Sequence, residues 1–394
     1  MTQTISVSCK LQVPVELRQE IDRTLQGFAD ACNQILEVAK RENCRNATKL
    51  HHLTYYTVKL TTGLKANHVC QAIRRVVGNM KAVKQVVRYR APLRYHKFRP
   101  TSISLDARVF TYRESDQHVG ITLMSKKVWL PLSIGNYQLA LLRGQTPTSA
   151  TLVKRRSGDY YIQIAVELDT PPTSYTPKVI GVDMGRRDIA TTSTFQAWNG
   201  SQLQATRDRY SRVRASLQSK RTRGSRRLLK RLSGKEARFQ KNINHSISRQ
   251  LVNEAKAIDA ALAFEDLTDI RKFLNTQPRN KTERRRTNNW AFYQLRMFVT
   301  YKAVLAGVPV VFVPPAYTSQ TCSRCHHVHP EKGKSYRNGK VFKCGHCGLE
   351  ADADWNAANN IATLGAVVNQ PESSVMSCVL EGQLSLLCST FNQG

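Results

Sequence analysis

Two tight cysteine pairs, Cys322-Ser-Arg-Cys325 and Cys344-Gly-His-Cys347, limit the fold of this chain more than any other feature. Pairs spaced in this way let a short loop wrap one tetrahedral Zn²⁺ with four thiolates. Such a set leaves no open position for water, so the expected ion is structural. His326, His327, His329 and His346 share the stretch, but four cysteines already fill the ligand places. Seven residues past Cys347 the chain reads Asp354-Trp-Asn-Ala-Ala, a helix start headed by a carboxylate.

Charge narrows the partners. Sixty Lys and Arg stand against twenty-eight Asp and Glu among 394 residues, leaving +32 at neutral pH. That excess repels itself unless a polyanion neutralises it, which points to nucleic acid. A membrane is the poorer partner. The longest apolar stretch, 303–316, is short and carries Pro309, Pro314 and Pro315, whereas a spanning helix needs about 18 to 20 apolar residues. The first residues, MTQTISVSCKLQVP, have neither the basic nor the apolar region of a secretory signal. A reducing, cytoplasmic, nucleoid-associated setting is expected, with Cys9, Cys32, Cys44, Cys70, Cys378 and Cys388 as free thiols.

Residues 4–13 alternate apolar and polar and predict a strand closed by Pro14. Leu17, Ile21, Leu25, Phe28, Cys32, Ile35 and Leu36 recur at three- and four-residue steps, predicting a helix of about five turns. Further helices are expected to about Val87, then short β-runs between Leu93 and Leu168 that suit a small barrel or sandwich. A proline-rich linker, 169–178, precedes Val-Ile-Gly-Val-Asp183-Met-Gly. Long helices and a second apolar strand, Ala-Leu-Ala-Phe-Glu265, follow in α/β fashion. A further strand, Val-Pro-Val-Val-Phe-Val-Pro-Pro, runs directly into the cysteine segment, and the last stretch has no clear period.

Between 207 and 241 lie fourteen Lys or Arg and two acids, a local balance of 14 − 2 = +12. Arg209, Arg212, Arg223, Arg227, Lys230 and Arg231 can share helix faces there and track a phosphate backbone, the alternative being a solvent-exposed helical hairpin. Lys84, Arg88, Arg90 and Arg94 interleave with aromatics such as Tyr95, a composition suited to unpaired bases as well as to phosphates. The alternative for these aromatics is packing at the edge of the β-region. A third basic run, 279–286, follows the Glu265 strand and suggests a clamp on substrate.

Asp183 and Glu265 lie in apolar strands, where a buried carboxylate is costly without a partner or a metal. Either alone suits an ion pair. Converging with Asp354, they would need Mg²⁺ to stay ionised, and two such ions can drive phosphodiester hydrolysis.

Five ordered segments carry a resemblance: VIGVDMG, FEDL, WAFYQLRMFVTYKA, PAYTSQTCSRC and ADWNAANNIA. Together they resemble the motifs of the TnpB family, insertion-sequence RNA-guided nucleases related to compact type V CRISPR effectors. The likeness runs from about 178 to 364. It departs at His326, where the family usually has glycine, and at the Val-Pro-Pro before Ala316.

The resemblance implies a RuvC-type, RNase H-like α/β nuclease domain with an inserted zinc ribbon, plus an N-terminal wedge β-barrel with a helical recognition insertion. The implied domains are a first barrel strand (1–14), a helical recognition domain (15–90), the wedge barrel (91–170), nuclease motifs I and II (178–317), the ribbon (318–350), motif III (351–366) and a poorly ordered tail (367–394). Asp183 is then expected to bridge two catalytic Mg²⁺, with Glu265 and Asp354 holding one side each; neighbouring Asp266 and Asp352 are not chosen. A guide RNA and a double-stranded DNA target with a short adjacent motif are the implied partners, and Tyr55, Tyr56 and Lys59 are candidates for reading that motif, with helix packing as the equal alternative.

The implied activity is Mg²⁺-dependent endonucleolytic cleavage of DNA by a mobile element. The rivals are a guide-dependent DNA-binding protein that does not cut and an accessory protein of transposition. Retention of all three carboxylates counts against the first. For a single-strand transposase, the chain lacks a tyrosine nucleophile tied to a His-x-His pair, since His327-Val-His329 lies inside the ribbon.

Overall fold

The computed structural model describes residues 2–87, 95–173, 175–268, 280, 291–329 and 336–369, with the side chains of 84–87 excepted. They fall into two compact units divided after Asp169.

The first unit is a seven-stranded antiparallel sheet with three long helices. Strand β1 (Thr2–Leu11) buries Val7, Cys9 and Leu11 on alternate positions, as a half-covered strand must. It pairs with β7 (Tyr160–Asp169) along nearly its whole length and with β5 (Lys127–Ser133) at its end. The strands β2 (Ser102–Asp106), β3 (Phe110–Arg113), β4 (His118–Thr122) and β6 (Ser149–Lys154) complete the order β2-β6-β7-β1-β5-β4-β3.

Helix α1 (Val15–Arg41) starts after Pro14 and runs 27 residues, more than the five turns its apolar stripe suggested. It buries Ile21, Leu25, Phe28, Cys32, Ile35 and Leu36 against α2 (Ala47–Thr62), α3 (Ala66–Val87) and the sheet. The excess length is the last turn and a half, where Val38 and the small Ala39 still pack on the core between Glu37, Lys40 and Arg41, and a left-handed Asn43 (φ 43°) makes the exit. A short helix, α4 (Asn136–Leu142), interrupts the β-runs. Its seven residues are too few to show a period. Cys9, Cys32 and Cys44 are buried free thiols and Cys70 is half-buried; Cys378 and Cys388 lie outside the described residues.

The second unit holds a mixed sheet of β8 (Lys178–Asp183), β9 (Asp188–Thr192), β10 (Ala197–Asn199), β11 (Ala260–Glu265) and β12 (Val310–Val313), in the order β10-β9-β8-β11-β12. The first three strands are antiparallel, while β8, β11 and β12 run parallel. Five of the six β11 residues are buried, the continuous apolar run expected of a parallel strand covered on both faces.

One face carries α7 (Lys235–Ala257) and α8 (Phe292–Ala306), whose Ile247, Leu251, Leu295 and Val299 pack on Ile180, Val182, Leu262 and Phe264. The other face carries α9 (Ala353–Val368), with Ile361 against Ala263 and Val313. Basic helices α5 (Ser201–Lys220) and α6 (Arg223–Leu232) lead into α7. Between β12 and α9 the chain forms a small antiparallel sheet of β13 (Arg337–Asn338), β14 (Val341–Lys343) and β15 (Glu350–Asp352).

Helix α9 continues to Val368, past the 366 boundary read from the sequence, and residues 370–394 lie outside the described set. Among the described residues no helix is long and apolar enough to cross a membrane.

Candidate active site and metal centre

The sulfur atoms of Cys322, Cys325, Cys344 and Cys347 all lie within 4.8 Å of one another. Cys322 Sγ is 3.6 Å from Cys347 Sγ, and Cys325 Sγ is 3.7 Å from Cys344 Sγ. Four thiolates at the usual Zn–S distance of about 2.3 Å stand about 3.8 Å apart along a tetrahedron edge, so the cluster fits zinc closely.

Each cysteine pair is a tight turn closed by backbone bonds, His326 N to Cys322 O and Gly348 N to Cys344 O. The residue after each pair is left-handed, at φ 73° for Gly348 and φ 58° for His326. His326 thus holds a side chain in a backbone conformation that suits glycine. The Cys344 thiol is drawn down to about 5: burial opposes this, but the N–H groups of Cys347 and His346, with His329 and Cys322, favour the thiolate.

Asp183 and Glu265 are the last residues of β8 and β11. Those strands are parallel neighbours, with Val182 opposite Phe264, so both carboxylates leave the sheet at the same edge. Helix α9 runs back against β8, placing Ala358 and Ala362 over Gly181 and returning Asp354, the second residue of the helix, to that edge. Withdrawal from water, followed by the negative charges of Glu265 and Asp354, holds the Asp183 carboxyl well above the usual carboxylate range. Burial likewise raises Glu265, opposed by a hydrogen bond from Thr318 Oγ1.

These three carboxylates are therefore close enough to feel one another. They do not close to within 4.8 Å as the thiols do. Their chemistry, hard oxygen donors with mutual repulsion, fits Mg²⁺.

Several residues that complete the site carry no periodic signal in the sequence. Arg337 Nη2 pairs with Asp354 Oδ1 at 3.1 Å, and Lys340 Nζ stands 3.6 Å from Asp354 Oδ2 and also pairs with buried Asp188. Asn356 and Asn360, both buried one turn apart, latch α9 to the cysteine segment. Asn356 accepts from Ser323 N and donates to Thr321 O, and Asn360 donates to Thr318 O and Thr321 O. Two asparagines at i and i+4 on a buried, alanine-rich face are the one signal that could have disclosed this latch. Asp352 caps α9, accepting from Asp354 N and Trp355 N, while Asp266 is taken up by Thr268 and Arg296.

The basic candidates divide. Arg209, Arg212, Arg223, Arg227, Lys230 and Arg231 are all exposed on α5 and α6, whereas the acids of that run are engaged nearby, Glu236 with Arg214 at 2.7 Å. In the first unit Tyr56 is 81% exposed. Tyr55 is half-buried against the core, stacked on His51, with Lys59 over its ring. Tyr95 also packs on that core. Lys84 is in α3, and Arg88, Arg90, Arg94 and nearly all of the 279–286 run lie outside the described residues.

Comparison with known proteins returns the likeness read from the motifs. Residues 163–268 match the family model described as a probable transposase, OrfB_IS605, and residues 292–361 match the Cas12f1-like TNB domain. The chain is 27% identical over 369 residues to a CRISPR-associated endodeoxyribonuclease Cas12f1 of Sulfoacidibacillus thermotolerans, covering 83% of each. It is 28% identical over 283 residues to a TnpB-like protein of Methanocaldococcus jannaschii, covering 67% of this chain and 97% of that one. Among solved structures, a Cas12f1 in complex with single-guide RNA and target DNA shares the fold at a TM-score of 0.64 and 15% identity, over 89% of this chain and 83% of the other.

Proposed function

We propose that this chain, a relative of the TnpB and Cas12f proteins, is an RNA-guided DNA endonuclease that cuts phosphodiesters at one site formed by Asp183, Glu265 and Asp354. The observation that carries the reading is the meeting of these three carboxylates at one sheet edge, with Asp183 perturbed by the other two. A protein keeps such repulsion at a functional site more often than in its scaffold.

The fold supports it. A sheet ordered β10-β9-β8-β11-β12, antiparallel then parallel, with a carboxylate ending each of the neighbouring strands β8 and β11, supports reading this unit as an RNase H-like nuclease of the RuvC type. We read the cysteine segment as a zinc ribbon inserted before the third motif, and the first unit as the wedge barrel with its helical recognition insertion.

Asp183, Glu265 and Asp354 would hold two Mg²⁺, which supply the charge that activates water and stabilises the leaving oxygen. Thr318 fixes the rotamer of Glu265 by its hydrogen bond. Arg337 and Lys340 offset the charge of Asp354 and tie the ribbon hairpin to the site. The exposed arginines of α5 and α6 provide the phosphate contacts, and base pairing with a guide RNA chooses the target.

Purifying the protein with its RNA, sequencing that RNA and challenging the complex with a matching plasmid library in Mg²⁺ tests the reading. Cleavage that follows a changed guide sequence is expected. A protein that carries no RNA, or cuts without regard to the guide, overturns it.

A further inference from the structure

Phe195 is placed where an aromatic residue gains little for the fold. It sits in the turn between β9 and β10, in the left-handed region at φ 67°, a conformation that suits glycine or asparagine and strains a bulky side chain. Burial does not repay the strain, since the residue is 76% exposed.

One ring face is nevertheless ordered. It stacks on Trp355, with centroids 4.7 Å apart and planes 14° from parallel. Trp355 directly follows Asp354 and is fixed by a bond from its Nε1 to Ser193 O at 3.1 Å. Ser193 in turn donates its N–H to Gly181 O, two residues before Asp183. An aromatic stack thus stands on the β9 side of the sheet, tied to the carboxylate edge through Trp355, the residue after Asp354, while the turn that carries Phe195 lies past Gly181 from Asp183 and leaves the ring largely exposed.

We propose that Phe195, backed by Trp355, is a stacking platform for one unpaired nucleobase of the DNA strand whose phosphate enters the carboxylate site. This rests on the nuclease reading given above and adds a positioning residue to it. A flat face with no hydrogen-bonding edge of its own accepts any base, which suits an enzyme whose sequence choice comes from elsewhere. The chain's +32 charge draws in a polyanion and disfavours a basic peptide at the same place. Holding the base fixes the adjacent phosphate, so the platform acts through substrate position and not on the reacting atoms.

The test uses the full chain with its bound RNA. Single-stranded DNA carrying one 5-iododeoxyuridine near the cut is photocrosslinked and the adduct mapped by mass spectrometry. Steady-state cleavage of the same strand is measured for wild type, Phe195→Ala, Phe195→Gly and Phe195→Tyr.

The adduct is expected on Phe195 or Trp355. KM should rise about tenfold for Phe195→Ala and Phe195→Gly, with kcat within about twofold and recovery in Phe195→Tyr. Phe195→Gly relieves the left-handed strain and keeps or raises the melting temperature, so its loss of affinity cannot be misfolding. Adducts confined to other segments, or an unchanged KM in both truncations of an active enzyme, overturn the platform. A wild type that does not cut at all overturns the nuclease reading instead, and an adduct on Phe195 would then still support base stacking.

Discussion

Replacing Gly181 by alanine tests how closely the third carboxylate depends on helix packing. An ideal Cβ at Gly181 falls 1.9 Å from the carbonyl oxygen of Ala358 and 2.4 Å from the amide nitrogen of Ala362. Both are backbone atoms of α9, so no rotamer change relieves the clash. Ordinary contact begins at 3.4 Å, and the helix must retreat by 3.4 − 1.9 = 1.5 Å. Ala358 is one turn from Asp354, so much of that shift is passed to the carboxylate.

A misplacement of about 1 Å in a catalytic group costs roughly 100-fold in rate, and overpacking costs about 1–3 kcal/mol in stability. Guided plasmid cleavage and thermal unfolding, measured side by side, should show both losses. Gly365→Ala is the control. Its Cβ meets Ala263 Cβ at 2.4 Å and Val179 Cγ1 at 3.0 Å, at the far end of the same helix. Stability should fall similarly, with a much smaller loss of cleavage. A Gly181→Ala protein that cuts within about twofold of wild type refutes the claim that α9 packing sets the site.

Three further outcomes follow from the same structure. Asp183 keeps its proton in the fold at pH values where the unfolded chain has already released it. The metal-free protein therefore loses stability as pH rises from the unfolded value of 3.8 through the raised one. In chelator at neutral pH, Asp183→Asn should raise stability by about 1 kcal/mol, and added Mg²⁺ should stabilise wild type more than the variant. Elemental analysis should find about one zinc per chain, reduced to background in Cys322→Ser or Cys344→Ser, whereas a His327→Ala protein keeps it. Replacing Arg223 and Arg227 together by glutamine should flatten the salt dependence of nucleic-acid binding by about one unit of log–log slope for each phosphate no longer neutralised, and an unchanged slope removes α6 from the interface.

The candidate site positions are legible in the sequence because their constraints are local. Cysteine spacing reflects the geometry of one turn, and a carboxylate closing an apolar run stands out against its neighbours at Asp183 and Glu265. The parts that are not legible depend on distant segments meeting in space. Thr318 sits in a loop, Arg337 in a strand of two residues and Lys340 in the turn before a strand of three, too short for any period to show. Phe195 looks ordinary until its backbone angle and its stack on Trp355, far along the chain, are known. The extent of α1 and the existence of α4 escape a sequence reading for the converse reason: a short end whose buried face is the small Ala39 among charged neighbours, and a single pair of turns, leave too little apolar pattern. The aromatic candidates Tyr55 and Tyr95 show the ambiguity of composition, since both pack on the core of the first unit while Tyr56 faces outward.

If Asp183, Glu265 and Asp354 act together as a single metal-holding nuclease site, each must be indispensable for cutting and dispensable for binding. Mg²⁺-dependent, RNA-guided cleavage by Asp183→Asn, Glu265→Gln and Asp354→Asn proteins, each checked for bound RNA and for binding of the matching DNA, measures this directly. All three should bind both nucleic acids as wild type does and cut at least about 10³-fold more slowly. Any one that still cuts within about tenfold of wild type would show that its carboxylate is not part of the reacting centre.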